Sequence, residues 1–341
     1  MLSLIRYLSY LILVSVIATE ILFRIFDPIG ISYIYEIKRY FKRTVPHEVF
    51  AYHHEPNLQD TFQGIQTSFN SHGFRGPEFS PAKPADTSRI MILGDSVVYG
   101  WGVRYESTFP ALLQDAYDAS NESIEVIPAG VCSWNTRTEY EFFREIGSTY
   151  QPDLLVLVVV FNDIEPKKEG RTEVDKQVLF PKADRPKSFL TNMLEDVRRF
   201  AVKHSYLFAY IRYFWTEYFK AGGGGGPGLS TESPQWTDAR LALDGLIRLS
   251  EKQGISLVVY LWASESELET NPILKLYANH LKTRGITTLT APDAVRNDPA
   301  YRISFVDGHP NPEGHKLIAQ KMRNDLRTML PARDINQVEQ P

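Results

Sequence analysis

The sequence contains very little cysteine. Its 341 residues include one cysteine, Cys132, which excludes an internal disulfide, and no Cys/His spacing typical of a zinc site occurs. The formal net charge of −4 provides no basic surface that would bind nucleic acid. Hydrophobic residues make up 43% and charged residues 23%, as in ordinary globular proteins. We therefore expect a globular chain with no metal, no cofactor and no nucleic-acid partner.

Long uncharged runs are also scarce, which makes the one at the amino terminus informative. Residues 7–19 carry no charge, and apolar residues resume after Glu20, so residues 7–26 approach the roughly 20 residues that span a bilayer. We favour an uncleaved single-pass anchor, because the apolar pattern continues past a possible cleavage point near Ala18. A cleaved signal peptide and a buried amphipathic helix are the alternatives.

Residues 31–43 have an amphipathic pattern. Ile34, Ile37 and Phe41 share one helical face, and Lys and Arg residues crowd close to them. Such a helix suits a membrane interface, and packing on the main domain is an equal alternative. We assign residues 1–43 to a membrane anchor and an interfacial helix. Only Arg6 precedes the apolar run while more basic residues follow it, and this bias alone would place the following domain in the cytoplasm.

The rest of the chain alternates between strand and helix patterns. Residues 44–88 are rich in turn-forming residues and predict a connector of short strands and turns, whose histidines we expect at the surface. Residues 89–331 predict a doubly wound parallel sheet covered by helices, because β and α patterns alternate and residues 154–160 are apolar on both faces. The expected strands are 90–93, 124–127, 154–160, 257–261 and 287–289, and the expected helices are 109–119, 136–150, 237–252, 272–284 and 312–329.

A segment without a strand pattern interrupts this alternation at residues 165–235. It contains an aromatic helical pattern at 204–219 and a glycine run at 222–228. The glycine run predicts a flexible linker, and because no Gly-Lys-Ser/Thr follows it we do not expect a phosphate-binding loop. We interpret the segment as a helical insertion, whose aromatic residues either form core contacts or belong to a lid.

Polar residues follow several of the predicted strands. Ser96 comes directly after the first strand, Gly130 ends the second, Asn162 follows the third, and Asp307 and His309 precede the last helix. In an open parallel sheet, chemistry gathers outside the carboxyl ends of the strands. A hydroxyl nucleophile, amide donors, an imidazole and a carboxylate are together the groups that acyl transfer requires.

The four blocks, taken in this order, resemble those of the SGNH/GDSL hydrolase family, and in particular its membrane-anchored bacterial members. The first block, Gly-Asp-Ser, ends in Ser96, and the second contains Gly130. The third, usually Gly-x-Asn-Asp, reads VFND with Val160 in place of the glycine, and the last, usually Asp-x-x-His, is the shorter Asp307-Gly308-His309. The resemblance covers about residues 65–330. It implies a three-layer α/β/α sandwich with a central parallel sheet, which is a flavodoxin-like arrangement.

The resemblance also implies roles for these residues. Ser96 would be the nucleophile, His309 the base that takes its proton, and Asp307 the carboxylate that orients the imidazole. The backbone N–H groups of Ser96 and Gly130 and the side-chain amide of Asn162 would form the oxyanion hole.

Other residues near the blocks have more than one interpretation. Tyr99 and Trp101 could wall a substrate pocket or pack in the core, and Arg75 is either a turn residue or a substrate contact. We expect Asp95 and Asp163 to hold loops by hydrogen bonds to the backbone, and His315, inside the last helix, to pack or to cap.

The function implied by the resemblance is that of a serine esterase acting on the acyl group of a glycan or lipid. An O-acyltransferase for a cell-surface polysaccharide and a catalytically inactive glycan-export scaffold are the alternatives. The resemblance favours a domain outside the cytoplasm, which conflicts with the charge bias around the apolar run.

Overall fold

The computed structural model describes residues 2–27, 30–165, 204–211, 230–304 and 307–330. These residues fall into two compact units. The first unit contains residues up to Arg39 together with 204–211, and the second contains the other described residues, from Tyr40 onward. Most of the predicted insertion, including the glycine run at 222–228, lies outside the described residues.

The first unit begins with α1 (Leu2–Phe26). Its residues Ser3–Phe26 are long and apolar enough to cross a membrane, and its apolar side chains are exposed in the structure. A signal sequence would have the same length and composition, so this observation leaves the anchor and the signal peptide both open. The helix α2 (Ile31–Lys42) follows, and residues 206–211 are also helical.

The last residues of α2 belong to the second unit, where they are buried. Tyr40 is 1% and Phe41 is 3% exposed. The Tyr40 hydroxyl lies 2.5 Å from His54 Nε2 and accepts a hydrogen bond of 3.1 Å from the backbone N–H of Cys132. These residues therefore pack on the main domain, which is one of the two alternatives that the sequence allowed for residues 31–43.

The connector contains two antiparallel hairpins. One pairs β1 (Thr44–His47) with β2 (Ala51–His54), and the other pairs β3 (Gln59–Phe62) with β4 (Ile65–Ser68). The expectation that the connector histidines lie at the surface is wrong for His54, which is buried with its two ring nitrogens close to Tyr40 Oη and the Gly73 carbonyl. Burial lowers the pKa of His54 well below its usual value, so the ring is neutral.

Five parallel strands form the central sheet, and they confirm the strand pattern predicted from the sequence. They are β5 (Ser88–Gly94), β6 (Ile124–Gly130), β7 (Leu154–Val159), β8 (Ser256–Leu261) and β9 (Thr287–Thr290). Their order across the sheet is β6-β5-β7-β8-β9, which is the flavodoxin-like order. All residues of β7 are buried, as expected of a central strand that is covered on both faces.

Helices cover both faces of the sheet, which makes the domain a three-layer α/β/α sandwich. Alternate strand residues such as Ile90, Ile92 and Val156 form one core with residues of the helices at 109–118 and 312–326. The intervening strand residues, such as Met91 and Leu93, are equally buried on the other face of the sheet. The predicted helix 136–150 ends early as an α-helix and continues as the 3₁₀ turn Gly147–Tyr150. The helices are α3 (Ser96–Tyr99), α4 (Phe109–Asp118), α5 (Thr136–Glu145), α6 (Pro234–Gln253), α7 (Glu265–Thr270), α8 (Pro272–Thr283), α9 (Asp293–Asn297) and α10 (Pro312–Leu326).

Candidate active site

Ser96 is the first residue of a short helix at the carboxyl end of β5. The preceding residue, Asp95, caps this helix, because its Oδ1 accepts a hydrogen bond of 2.9 Å from the Val97 N–H. Gly100 ends the helix in the left-handed region, at φ = 75°. A cap on one side and a glycine turn on the other therefore fix where the Ser96 hydroxyl lies.

His309 and Asp307 lie beside this hydroxyl. Ser96 Oγ is 2.8 Å from His309 Nε2, and His309 Nδ1 is 2.6 Å from Asp307 Oδ1. An ionised carboxylate can only accept, so the Nδ1 proton is donated to Asp307. In the neutral ring this leaves Nε2 as the acceptor, and Nε2 is the atom that faces Ser96.

The short Asp-x-His spacing does not keep the two side chains apart. Asp307 Oδ1 accepts from the His309 backbone N–H at 3.1 Å as well as from Nδ1, so the carboxylate is held against its neighbour in a closed local ring. Burial raises the pKa of Asp307, but the hydrogen bonds and the charge of His309 outweigh it, so the pKa lies below its usual value. Asp307 is therefore ionised at neutral pH.

Gln63 completes the surroundings of Asp307, and sequence reasoning missed it. Its Nε2 donates a hydrogen bond of 3.1 Å to Asp307 Oδ2, the oxygen that His309 does not use. Gln63 lies between β3 and β4, 244 residues before Asp307 in the chain. Only the folded connector brings it to the site, and no signal in the sequence points to it.

The Ser96 hydroxyl has one proton and two acceptors within reach. Besides His309 Nε2, Asp95 Oδ2 lies 3.1 Å from Ser96 Oγ. Burial raises the pKa of the Asp95 carboxyl above its usual value, despite the hydrogen bond from Val97 and the charge of His309. A raised pKa disfavours the charged form, which weakens Asp95 as a competitor for the proton.

The proposed oxyanion donors lie on the strands that flank β5. Gly130 ends β6 and Asn162 follows β7, and these two strands pair with β5 on opposite sides. Gly130 is required sterically, because a Cβ at this position would lie 2.3 Å from the Tyr99 backbone N. Asn162 lies in a turn that Asp163 closes, since Asp163 Oδ2 accepts from the Val160 N–H at 3.1 Å. Val160, in the place of a glycine, is accommodated as a buried residue.

Three buried carboxyl groups lie at this end of the sheet and influence one another electrostatically. They belong to Asp95, Asp163 and Glu139, the last of which sequence reasoning missed. Burial raises the pKa of Glu139 and of Asp163 well above their usual values, and the neighbouring carboxylates raise them further. Both oxygens of Glu139 lack a hydrogen-bond partner among the described residues. Glu139 is therefore neutral in the folded state.

Arg75 has a structural role and is not exposed to a substrate. The side chain is 4% exposed, and its guanidinium donates to the carbonyl oxygens of Tyr99, Gly100 and Val103 at 2.8, 2.7 and 2.6 Å. It also lies over the Tyr99 ring, at 4.7 Å from the centroid. Arg75 therefore holds the loop that follows α3. This role differs from both alternatives that the sequence suggested, a turn residue and a substrate contact.

Tyr99 and Trp101 follow the core-packing alternative. They are 3% and 1% exposed, and their rings contact Tyr40 at centroid distances of 5.4 and 5.7 Å. Two large aromatic side chains that are covered in this way stabilise the domain through their burial. The structure thus supports a role for both in the core beneath the loop.

His315 is a capping residue for α4. Its Nδ1 accepts a hydrogen bond of 3.1 Å from the Phe109 N–H at the start of α4, and its ring stacks on the Phe109 ring. Burial lowers the pKa of His315 to about 3, so the ring stays neutral and can act as an acceptor. Thr108 at the amino end of α4 makes no side-chain cap, which leaves this function to His315.

Comparison with known proteins gives likeness only at the level of structure. No protein-family model and no curated protein sequence matches the chain. Similar solved structures include a psychrotrophic esterase from Pseudoalteromonas sp. (14% identity, 72% of this chain and 100% of that one, TM-score 0.44) and a lipase/acylhydrolase from Enterococcus faecalis (12%, 73% and 100%, 0.41). An SGNH-hydrolase family esterase is similar at 16% identity, over 73% and 100%, with a TM-score of 0.39. Because these scores and identities are low, we base the functional proposal on the residues of this chain.

Proposed function

We propose that the chain is a serine esterase of the SGNH type that hydrolyses the ester of an acyl group on a glycan or lipid. The observation that carries the proposal is the hydrogen-bonded line from Ser96 Oγ through His309 to Asp307, with distances of 2.8 and 2.6 Å. A serine hydroxyl is a weak nucleophile by itself, and an imidazole held in this orientation is the group that activates it.

The reaction follows from these positions. Ser96 Oγ attacks the ester carbonyl while its proton passes to His309 Nε2, and Asp307 stabilises the imidazolium that forms. The N–H groups of Ser96 and Gly130 and the amide of Asn162 donate to the oxyanion. The alcohol leaves with the proton from His309, and a water molecule, deprotonated by the same ring, then releases the acid and restores Ser96.

Product analysis with the purified full-length protein tests this proposal. A short-chain aryl ester and an acetylated oligosaccharide are supplied together with an unacetylated oligosaccharide, and Ser96→Ala is the control. We expect free carboxylic acid that depends on Ser96. Acyl groups that appear on the acceptor sugar instead would indicate an O-acyltransferase, and the absence of turnover with every ester would favour a scaffold.

We also propose that α1 is an uncleaved single-pass anchor and that the domain lies outside the cytoplasm. The apolar surface of α1 supports the anchor, and the resemblance to membrane-anchored hydrolases supports the side. Protease treatment of intact cells should digest the domain, and a protected domain would contradict the assignment. Mass spectrometry of the recovered protein should find residues 2–18, which a protein whose signal peptide had been cleaved near Ala18 would lack.

The structure also indicates where the chain can be shortened to give a soluble domain. Removal of residues 1–43 would also remove Tyr40 and Phe41, which are buried in the second unit. We therefore expect a protein that begins at Gly30 to be soluble and active, and one that begins at Thr44 to be unstable. Equal thermal stability of the two would contradict this boundary.

A further inference from the structure

Residues 204–211 lie against the carboxyl-terminal part of α1, and a charged residue of α1 holds them there. The Glu20 carboxylate accepts three hydrogen bonds from them, from Ser205 Oγ at 2.9 Å and from the N–H groups of Tyr206 and Leu207 at 3.0 and 2.9 Å. Glu20 thus caps the helical residues 206–211 from another segment of the chain. The Glu20 residue that interrupts the apolar run therefore has a structural partner in the insertion.

Arg24 completes this arrangement. Its Nε donates to Glu20 Oε1 at 2.8 Å and its Nη2 donates to the His204 carbonyl at 2.7 Å. The guanidinium also lies over the Tyr206 ring, at 5.0 Å from the centroid. The carboxylate is consequently neutralised by a neighbour one turn away and hydrogen-bonded on both oxygens, which is the condition under which a charged residue is tolerated next to lipid.

The position of Glu20 along α1 sets the level of this contact. The 24 residues from Ser3 to Phe26 form a helix of about 36 Å, which exceeds the roughly 30 Å of a hydrocarbon core. Glu20 lies about 9 Å from the Phe26 end of this helix, and Arg24 about 3 Å from it. If α1 spans the bilayer, Glu20 and Arg24 therefore lie near the boundary between headgroups and acyl chains. The residues that bind Glu20 lie at the same level.

The two faces of residues 204–211 suit such a position. Tyr206 and Tyr210, which are four residues apart, share one face, and the Tyr210 ring packs on Phe23 of α1 at 4.6 Å between centroids. Phe208 and Ile211, which are three residues apart, share another face and are 37% and 54% exposed. Aromatic residues with a polar end concentrate at membrane–water interfaces, where exposed Phe and Ile side chains can insert among acyl chains.

We propose that residues 204–211 form a second membrane contact, an interfacial helix that Glu20 and Arg24 hold at the carboxyl-terminal end of α1. Its partner is the lipid bilayer, at the boundary between headgroups and acyl chains. This inference rests on the proposed anchor, because it takes its level from a spanning α1. It assigns to the described part of the insertion a role in membrane contact, which is distinct from that of a lid.

Depth-dependent quenching of a fluorophore tests the proposal in the full-length protein. The only native cysteine, Cys132, is fully buried, so a cysteine introduced at an exposed position can be labelled selectively, with the unmodified protein as the labelling control. An environment-sensitive fluorophore is attached to Phe208→Cys in nanodiscs of phosphatidylcholine and phosphatidylglycerol. Nitroxides at carbon 5 or carbon 12 of the acyl chain, or iodide in the water, serve as quenchers. Two exposed positions provide references, Ile12→Cys in the middle of α1 and Leu241→Cys on α6.

We expect the label at position 208 to be quenched more by the carbon-5 nitroxide than by the carbon-12 nitroxide, and less by iodide than the label at position 241. The label at position 12 should respond most to the carbon-12 nitroxide. If position 208 responds like position 241 while position 12 responds as expected, the interfacial helix is refuted and the anchor stands. If position 12 is also quenched by iodide alone, the anchor itself is wrong.

Glu20 provides the test of what holds the helix. Glu20→Ala makes α1 more apolar, so it preserves the span while removing the acceptor for all three hydrogen bonds. We expect the label at position 208 to lose its lipid quenching and gain iodide quenching, with the label at position 12 unchanged. Thr19→Ala is the matched control, because the Thr19 hydroxyl donates within α1, to the Ser15 carbonyl, and has no other partner among the described residues; it should change neither label. Unchanged quenching at position 208 in Glu20→Ala would overturn the assigned role of Glu20.

Discussion

Replacement of Gly130 by alanine should move the nucleophile while it keeps every proposed reacting group, because alanine retains the backbone N–H at position 130. A Cβ at position 130 would lie 2.3 Å from the Tyr99 N, 2.7 Å from the Val98 carbonyl carbon and 2.8 Å from the Val98 Cβ. The closest of these contacts is about 1.1 Å shorter than the 3.4 Å at which ordinary van der Waals contact begins. Two of the three atoms belong to the backbone of α3, so the strain cannot be relieved by a side-chain rotation, and α3 must shift by about 1 Å.

The shift has two measurable consequences. Overpacking of this kind costs about 1–3 kcal/mol of stability. Because Ser96 begins α3, a displacement of about 1 Å should also lower kcat on an aryl ester by about 100-fold. Stability is measured by urea unfolding and activity by steady-state kinetics at a temperature where the variant remains folded.

Gly254→Ala is the matched control for this experiment. Gly254 follows α6 at the amino end of β8, with φ = 68° and no atom of the described residues within 4 Å of an added Cβ. An alanine there costs about 1–2 kcal/mol through backbone strain. Position 254 lies at the amino ends of the strands, whereas Ser96 lies at their carboxyl ends. We expect this variant to lose stability and keep its kcat. Full activity in Gly130→Ala, or an equal loss in Gly254→Ala, would refute the reasoning that Gly130 positions α3.

Three further variants test the surroundings of the site. Glu139→Gln removes a carboxyl whose pKa is raised by burial above 4.5 in the folded protein. As the pH rises past 4.5, the unfolded chain releases the proton of this carboxyl while the native state keeps it. The wild type should therefore lose stability relative to the variant by up to about 1.4 kcal/mol per pH unit. Urea unfolding between pH 5 and pH 8 measures this slope, with exposed Glu251→Gln as the control, and parallel curves would contradict a neutral Glu139. Arg75→Lys should lose on the order of 2 kcal/mol and lower activity, because one ammonium cannot replace a guanidinium bonded to three carbonyl oxygens; unchanged values would contradict its role in the loop. Asn162→Ala should lower kcat by about 100-fold to 1000-fold with little change in KM, and a change confined to KM would remove Asn162 from the oxyanion hole.

The sheet was predictable because its strands have an unambiguous pattern. A run such as residues 154–160 is apolar on both faces, short and rich in β-branched valine, and these features together favour a strand in the centre of a covered sheet. The blocks that contain Ser96, Asp307 and His309 were recognisable because each is short and continuous in the chain. The order of the parallel strands brings the ends of β5, β6 and β7 together, so Ser96, Gly130 and Asn162 were expected at the same end of the sheet.

The surroundings of the site were not predictable, because they depend on contacts between distant segments. Gln63 reaches Asp307 from a hairpin, and Glu139, on α5, is buried near the carboxyl groups of Asp95 and Asp163, which follow other elements of the chain. His54 was expected at the surface because a histidine in a turn-rich segment is normally exposed. Its burial depends on Tyr40 and Gly73 as partners. Glu20 likewise read as an interruption of an apolar run, and its partners come from residues 204–211. In each case the sequence contains the residue but no local pattern that identifies its partner.

The most direct measurement of the central claim is covalent labelling of Ser96 by a fluorophosphonate probe, compared between two histidine variants. His309 Nε2 lies 2.8 Å from Ser96 Oγ, whereas His315 bonds the amino end of α4. The probe reacts only with an activated serine, and intact mass spectrometry with peptide mapping identifies the modified residue. We predict labelling at Ser96 that is lost in Ser96→Ala and His309→Ala and retained in His315→Ala, with circular dichroism showing that each variant is folded. Labelling that persists in His309→Ala but disappears in a folded His315→Ala would contradict the assignment of His309 as the base.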